Sequence, residues 1–444
     1  MSSRGLNLGC RQRCKEGVLK ILSKIPEELR SLINKLHKQA LAENLKVYLV
    51  GGFVRDLILR VKNLDLDIVI EGDGIKFAER FAMPFGVKLT AHRQFGTATV
   101  LLKSGLKVDF SSARKESYPK PAHLPIVSYG LLRDDLFRRD FTINAMAISL
   151  SDGSLVDYFD GRGDLVNKKI RVLHDLSFKD DPTRILRAVR FEQRYDFNIE
   201  PKTLKLLKEA GKLKMLEKVH PHRMRDELIL VLKEGNPLKE IRRIKQLAGF
   251  KFIHPNLNVS VKTYSYFKSL EKEVKWFNKN YPQRRSLDTW LIYLMGLLDS
   301  LNAGAIRNVC EKFGLRKGEK KRLSSYKQIT HKFIVDLSNS KVKPSRIFAS
   351  LEPLSYETII SLRAKYNNPV FKRHIADFLE IYNGMRIFVS GNDLHGLGLV
   401  PGPQYQKIFA QVLNAKLNGE VKDKREELSL IRELLNKRHP ILRG

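Results

Sequence analysis

Two aspartates two residues apart, Asp65 and Asp67, stand in the run Leu64-Asp65-Leu66-Asp67-Ile68-Val69-Ile70. Apolar and acidic residues alternate there, as on a strand with one face kept for chemistry, and strand residues two apart point to the same side. Two carboxylates so close raise each other's pKa unless a cation joins them. Hard oxygen donors suit Mg2+, which usually completes its shell with water and substrate phosphate. Taken alone, the pair equally fits a solvated sheet edge. Asp109, in Val108-Asp109-Phe110, offers a third acid at a strand end, where a capping role is as natural. Upstream, Val50-Gly51-Gly52-Phe53-Val54-Arg55-Asp56 puts a glycine pair between a strand and a helix. Glycine lets backbone amides approach phosphate oxygens, and a helix N-terminus favours negative charge. Arg55 brings a fork of donors for a phosphate or for an acidic partner.

These residues need a scaffold, and the pattern from about Lys46 to Leu155 is one of alternating strands and helices. Lys46–Val50, Leu64–Ile70, Val87–Ala91, Gly96–Lys103 and Leu106–Phe110 read as strands, with Phe141–Ser149 and Leu155–Phe159 closing the set. Phe53–Arg60 and Ile75–Pro84 have helical spacing. Pro119, Pro121 and Pro125 mark an ordered loop between Glu116 and Leu132. From about Asp181 onward the periodicity is helical: Ile185–Tyr195, Pro201–Ala210, Pro221–Lys233 and Pro237–Ala248, then residues 263–385. Three of those helices open with proline, which is tolerated at a first helical position. The Gly391–Pro403 cluster reads as a boundary before a terminal helical module.

Composition limits the partners. The chain has 444 residues, which implies two to four domains, and its apolar fraction of 43% is that of a folded protein. Lys and Arg number 81 against 48 Asp and Glu, a net charge of +33. Such an excess attracts a polyanion, nucleic acid first and an anionic membrane surface second, although part of it can simply solvate the surface. Cys10, Cys14 and Cys310 make no disulfide framework, and Cys10 with Cys14 cannot close a zinc site. Without an apolar run of about 20 residues, no membrane span is expected, and the cytoplasm is the expected location.

Taken together, Gly51-Gly52-Phe53-Val54-Arg55-Asp56 and Leu64-Asp65-Leu66-Asp67 resemble the head motif of class II tRNA nucleotidyltransferases and bacterial poly(A) polymerases. The resemblance extends to Asp135-Leu136-Phe137-Arg138-Arg139-Asp140-Phe141-Thr142-Ile143-Asn144-Ala145-Met146-Ala147, and to Asp160-Gly161 with Asp164-Leu165. It continues in Asp180-Asp181-Pro182-Thr183-Arg184-Ile185-Leu186-Arg187-Ala188-Val189-Arg190-Phe191 and in Arg223-Met224 with Glu227-Leu228, in family order over roughly residues 46–230. It implies an α+β fold: a polymerase-beta-like head with a mixed sheet, followed by an all-helical neck, body and tail. The expected divisions are 1–22 as an N-terminal extension, 23–160 head, 161–250 neck, 251–388 body and 389–444 tail.

The resemblance also implies roles. Asp65 and Asp67 would hold two Mg2+ ions that activate the tRNA 3′-hydroxyl and grip the incoming triphosphate, with Asp109 as a third catalytic acid. Gly51, Gly52 and Arg55 would contact phosphate; Arg138, Arg139, Asp140 and Asn144 belong to the string associated with the nucleotide, Asp140 accepting from a ribose hydroxyl. Asp181 and Arg184, expected on one helix face, would read the base. A carboxylate accepts from the amine of cytosine or adenine, whereas uracil or guanine would oppose it with a carbonyl oxygen, at a cost on the order of a thousandfold in rate. Arg187 and Arg190 follow on that helix, either touching phosphate or pairing with acids. The implied partners are the acceptor stem and 3′ end of tRNA, with CTP and/or ATP as substrates. Asp180 departs from the family's usual Glu, and the proline-marked link resembles lineages that divide the work between enzymes, which points to CC addition. A poly(A) polymerase, and an RNA-binding protein with a degenerate head, are the alternatives.

Overall fold

A computed structural model describes residues 25–61 and 65–438. The proposed extension 1–22, Cys10, Cys14 and Leu64 therefore lie outside the described residues. The chain divides into two compact units: residues up to Glu234 together with Lys239–Phe252, and Gly235–Leu238 together with residues from Ile253 on.

The first unit is built on a seven-stranded mixed sheet. Its strands are β1 (Lys46–Val50), β2 (Leu66–Glu71), β3 (Leu89–His92), β4 (Thr97–Leu101), β5 (Lys107–Ser112), β8 (Met146–Ser149) and β9 (Leu155–Asp157), in the order β3-β4-β5-β2-β1-β8-β9. Between β5 and β8, β6 (Arg114–Ser117) and β7 (Ile126–Tyr129) form a separate antiparallel pair. Strands β2 and β5 are parallel, and their register sets Asp67 directly beside Asp109. The remaining neighbours in the seven-stranded sheet are antiparallel. β1 is rich in β-branched and aromatic residues and ends at Gly51, whose φ of +68° is open to glycine at little cost. The helix Gly52–Leu59 starts there and closes on Arg60 in the left-handed region.

One face of the sheet is sealed by the helix Gly74–Ala82, capped by Asp73 through the Ile75 and Lys76 amides. Its Phe77 and Phe81 meet Phe110 of β5 at centroid distances of 6.1 and 5.3 Å. Burying a phenyl ring contributes roughly 1.5–3 kcal/mol, so this cluster firmly anchors the strand that carries Asp109. A further helix, Glu27–Ala42, buries Leu29, Leu32, Ile33, Leu36 and Ala40 along one stripe.

Several expectations change. Phe141–Ser149 is not one strand: Thr142–Asn144 turns as a short 3-10 segment, and extended structure begins at Met146. Here Thr142 and Asn144 spend their polar groups on Asp164 and Asp140, a local pairing that competes with a strand ladder. The segment expected as a loop from Glu116 is a hairpin whose strands flank the proline run. Helices continue from Arg184–Tyr195 to Pro237–Leu247, interrupted by Asn198–Ile199, which pairs in parallel with Lys169–Ile170.

The second unit is helical among its described residues. Val261–Asn280, Thr289–Leu297 and Tyr356–Lys365 pack together, and Trp290–Leu297 is buried on every side. Gly391–Gly396 forms a helical turn capped by Ser390 and Asp393, and Val389, Leu394, Ile408, Val412 and Ile431 make one apolar cluster. Buried Glu427 ties that cluster down by accepting from the Phe388 and Val389 amides and the Lys416 ammonium. No helix of the described residues is long and apolar enough to cross a membrane.

Candidate nucleotide-binding cleft

The first unit holds a cleft of about 490 Å³. The β1–helix turn contributes Gly52 and Arg55, β2 contributes Asp67, and the hairpin contributes Arg114, Glu116, Tyr118, Leu124 and Pro125. Arg138, Arg139, Asp140, Asn144, Asp181, Arg184, Arg187, Phe191 and Arg223 complete the wall with Phe95. A neighbouring hollow of about 350 Å³ shares Asp67, Arg114, Arg138 and Arg139 and adds Asp109 and Thr99.

At the acidic edge, Asp67 sits mid-face on β2 while Asp65 is exposed immediately before the strand. Burial pushes the Asp67 carboxyl up to about 6; Arg139 opposes this, and Asp109 and Asp65 add to it. Asp109 accepts from the Thr99 hydroxyl at 2.5 Å and ion-pairs with Lys107. Among the described residues, no group of three or more His, Cys, Asp or Glu side chains is placed to hold a metal ion. Gly51 faces this edge, and a β-carbon there would collide with Nη1 of Arg139.

The arginines are arranged by acids that the sequence string contains without marking their role. Asp135, fully buried, accepts from Arg138 through Oδ1 at 2.6 Å and from Arg139 through Oδ2 at 2.9 Å. Their i, i+3 and i, i+4 spacing was a readable signal. Glu116 accepts from Arg114, Arg138 and the Tyr118 hydroxyl at 2.9, 3.1 and 2.7 Å, so the hairpin is bolted to the cleft wall. The Arg114–Glu116 alternation was visible in the sequence, but prolines masked it.

The structure gives four of these residues particular partners or placements. Arg55 takes the acidic partner: Nε and Nη2 donate to Asp56 at 2.8 and 2.9 Å, Nη1 donates to Asn144, and the guanidinium lies over Phe191 and Tyr195. A buried guanidinium must satisfy its donors, and Asp56 is the adjacent residue. Asp140 is likewise engaged. Oδ1 accepts from the Phe141 amide and Asn144, and Oδ2 from Arg187 at 2.8 Å. Although burial works against ionisation, Arg187 and Asn144 bring this carboxyl down to about 2. Asp140 therefore orients Arg187 and Asn144 rather than presenting two open oxygens.

Asp181 is not on the helix with Arg184. It is extended, at φ −131° and ψ 91°, because a residue before proline is driven out of the helical region, and Arg184 opens the helix three residues on. Both still line the cleft. Arg184 is 4% exposed and anchored by donating to the Ser177 hydroxyl and the Arg138 carbonyl, each at 2.6 Å. Arg190, finally, stands outside the cleft lining: it lies over Phe191 and pairs with Glu227 and Glu234 at 3.6 and 3.8 Å. Arg187 remains at the cleft, paired with Asp140 and Glu227.

Comparisons with known proteins fit this construction. Residues 47–171 match the Poly A polymerase head domain, and residues 196–260 match a probable RNA and SrmB-binding site of polymerase A. An A-adding tRNA nucleotidyltransferase of Geobacter sulfurreducens is 37% identical over 91% of this chain, which spans 47% of that protein's length. One of Halalkalibacterium halodurans, also A-adding, is 32% identical over 92% of this chain and 93% of its own. A solved Thermotoga maritima CCA-adding enzyme complexed with tRNA superposes with a TM-score of 0.72 at 34% identity, covering 94% of this chain and 98% of that one. With a mixed-sheet head, a convergent arginine–carboxylate cleft and a relative matched almost end to end, the chain belongs to the family of tRNA nucleotidyltransferases and bacterial poly(A) polymerases.

Proposed function

We propose that this chain catalyses template-independent transfer of a nucleotide from CTP and/or ATP to the 3′ end of tRNA. The observation that carries the reading is one cleft in which Asp67 stands at one part of the wall and Asp181 with Arg184 at another. A triphosphate needs cations and a base needs a mixed donor–acceptor pair, and this wall offers both.

The acidic edge offers a carboxylate pair and not a closed cage, which suits Mg2+ because that ion keeps water and phosphate oxygens in its shell. Asp67 and Asp109 are in register on parallel strands, Asp65 precedes Asp67 by two residues, and all offer hard oxygen. Asp65 and Asp67 would hold the metal, which when bound lowers the pKa of the 3′-hydroxyl and neutralises the triphosphate. The 3′-hydroxyl gives up its proton to solvent, its oxygen attacks the α-phosphorus in line, the bond from that phosphorus to the α,β-bridging oxygen breaks, and pyrophosphate leaves. Gly51 and Gly52 bring bare backbone to the helix N-terminus, where phosphate is favoured, and Arg139, lying over Gly51 and positioned by Asp135, supplies positive charge next to Asp67. Asp181 accepts from an exocyclic amine and Arg184 donates to the base ring or its carbonyl, which favours cytosine and adenine.

Residues 23–160, 161–250, 251–388 and 389–444 act in this reading as catalytic head, base-reading neck, body and tRNA-binding tail. Two relatives that cover over 90% of the chain are named A-adding, which favours AMP over the CC addition suggested by the proline-marked link. Incubation with labelled CTP or ATP and tRNAs ending at the discriminator base, at C, and at CC decides among them. Addition of one A to the CC-ended tRNA is the expected outcome. Long ATP-only tails on arbitrary RNA would replace the reading with a poly(A) polymerase.

A further inference from the structure

The two oxygens of Asp181 are not equivalent. Oδ1 accepts from the Thr183 amide at 3.1 Å and from the Thr183 hydroxyl at 2.6 Å, and it forms an ion pair with Nη2 of Arg223 at 2.8 Å. No described residue donates to Oδ2. Thr183 immediately precedes the helix Arg184–Tyr195, and Arg223 comes from the first turn of the helix Pro221–Leu232, so the carboxylate is clamped between two elements. Arg223 also lines the cleft, and its side chain is 28% exposed.

A carboxylate held this way presents one acceptor and cannot exchange its oxygens without breaking three contacts. In the Arg223 pair both partners carry charge, and it is the contact that ties Asp181 to a second helix. Without it, Asp181 is free to rotate away from a carbonyl oxygen on the wrong base instead of opposing it at fixed distance. Discrimination against such a base depends on the buried acceptor staying where it is.

We propose that Arg223, together with Thr183, is a positioning residue that sets base selectivity by locking Asp181 with Oδ2 turned to the incoming base. This rests on the reading of the cleft as the nucleotide site. Its signature is a loss of discrimination, not simply a loss of rate.

The test compares kcat/KM for ATP and GTP on CC-ended tRNA, and for CTP and UTP on tRNA ending at the discriminator base, for whichever addition the wild type performs. Arg223→Gln is expected to lower the right-to-wrong ratio about tenfold or more. Arg223→Lys, which keeps the charge without the fork, is expected to recover part of it. Thr183→Val removes only the hydroxyl donor and is expected to give a smaller drop in the same direction. It carries the test if thermal melting shows that the Arg223 variants do not fold. Variants that lose activity equally on right and wrong nucleotides, or keep the wild-type ratio while Asp181→Ala loses it, would overturn the positioning role and leave the proposed function standing. A wild-type protein that incorporates no nucleotide would overturn the proposed function and this inference with it.

Discussion

At the scale of single residues, chemistry and stability pull in opposite directions. Asp67 is held among Asp65 and Asp109 in a site that burial makes unfavourable for its charge. Under the proposed mechanism, Asp67→Asn should reduce nucleotidyl transfer about 10³-fold or more, since several kcal/mol of charge stabilisation would be lost; single-turnover incorporation measures it. Glu240 carries a similar strain without a catalytic reason. It is 3% exposed, Oε2 lacks a hydrogen-bond partner, and burial, with Glu234 adding, pushes its carboxyl from 4.5 up to about 7. Below pH about 4.5 the acid is protonated in folded and unfolded chains alike and costs nothing. As pH rises from 4.5 towards 7 the unfolded chain releases this proton while the folded chain keeps it, so stability falls across that window and levels off above about 7, where both are ionised. Glu240→Gln should accordingly raise stability by about 1–3 kcal/mol at pH 8 and leave it unchanged near pH 4; denaturant melts at the two pH values check the sign. Residue identities at the cleft were readable from motif spacing, but partners were not. Whether Arg55 meets a phosphate or Asp56 depends on burial and on Asn144, 89 positions away.

At the scale of elements, the sequence disclosed whichever segments carry their own period. The β-branched β1, the alternating β2 and the long helices from Arg184 onward announce themselves, since one buried face forces one repeat. The hairpin β6–β7 does not, because its two strands are four residues each and are separated by prolines that usually signal a loop. The six-residue helix Leu132–Phe137 is similarly too short for a period, yet it carries Asp135 and leads into Arg138 and Arg139. The extended placement of Asp181 was legible in the Asp181-Pro182 dipeptide but was outweighed by the i, i+3 spacing to Arg184. Two elements invite tests. Glu116→Gln replaces the charged acceptor that holds Arg114, Arg138 and Tyr118, and should raise the KM for the incoming nucleotide about tenfold with a smaller change in kcat, because the cleft wall loosens while the acidic edge is untouched. Gly51→Ala forces a β-carbon into Arg139 and an L-residue into φ +68°, and should cost roughly 1–2 kcal/mol of stability together with nucleotide affinity. Thermal melting and nucleotide titration separate the two effects.

At the scale of the whole molecule, the net charge of +33 far exceeds what one nucleotide would neutralise. Much of the acidic side chain complement in the first unit is already spent on arginine: Asp135, Asp140, Glu116, Glu192, Glu227 and Glu234 each pair with at least one guanidinium. The lysines are used differently. Lys205, Lys208 and Lys212 recur along the exposed side of the helix Pro201–Lys212, and Lys214, Lys218 and Lys251 are exposed beyond it. Such charges interact with a polyanion chiefly by releasing its condensed counterions, so affinity becomes a steep function of salt. Under the proposed function, a nucleoside triphosphate beside the half-buried Arg138 and Arg139 depends far less on that release, because short-range pairs inside a cleft are poorly screened. The expected outcome is that tRNA affinity falls about 10³-fold or more between 50 and 200 mM salt, as for a protein neutralising some 6–10 phosphates, while the KM for the nucleotide at saturating tRNA moves only a few-fold. Filter binding over a salt series gives the first slope and steady-state kinetics the second. Equal slopes would place the nucleotide on the exposed lysines instead of in the cleft, and a flat tRNA slope would mean that the excess charge merely solvates the surface.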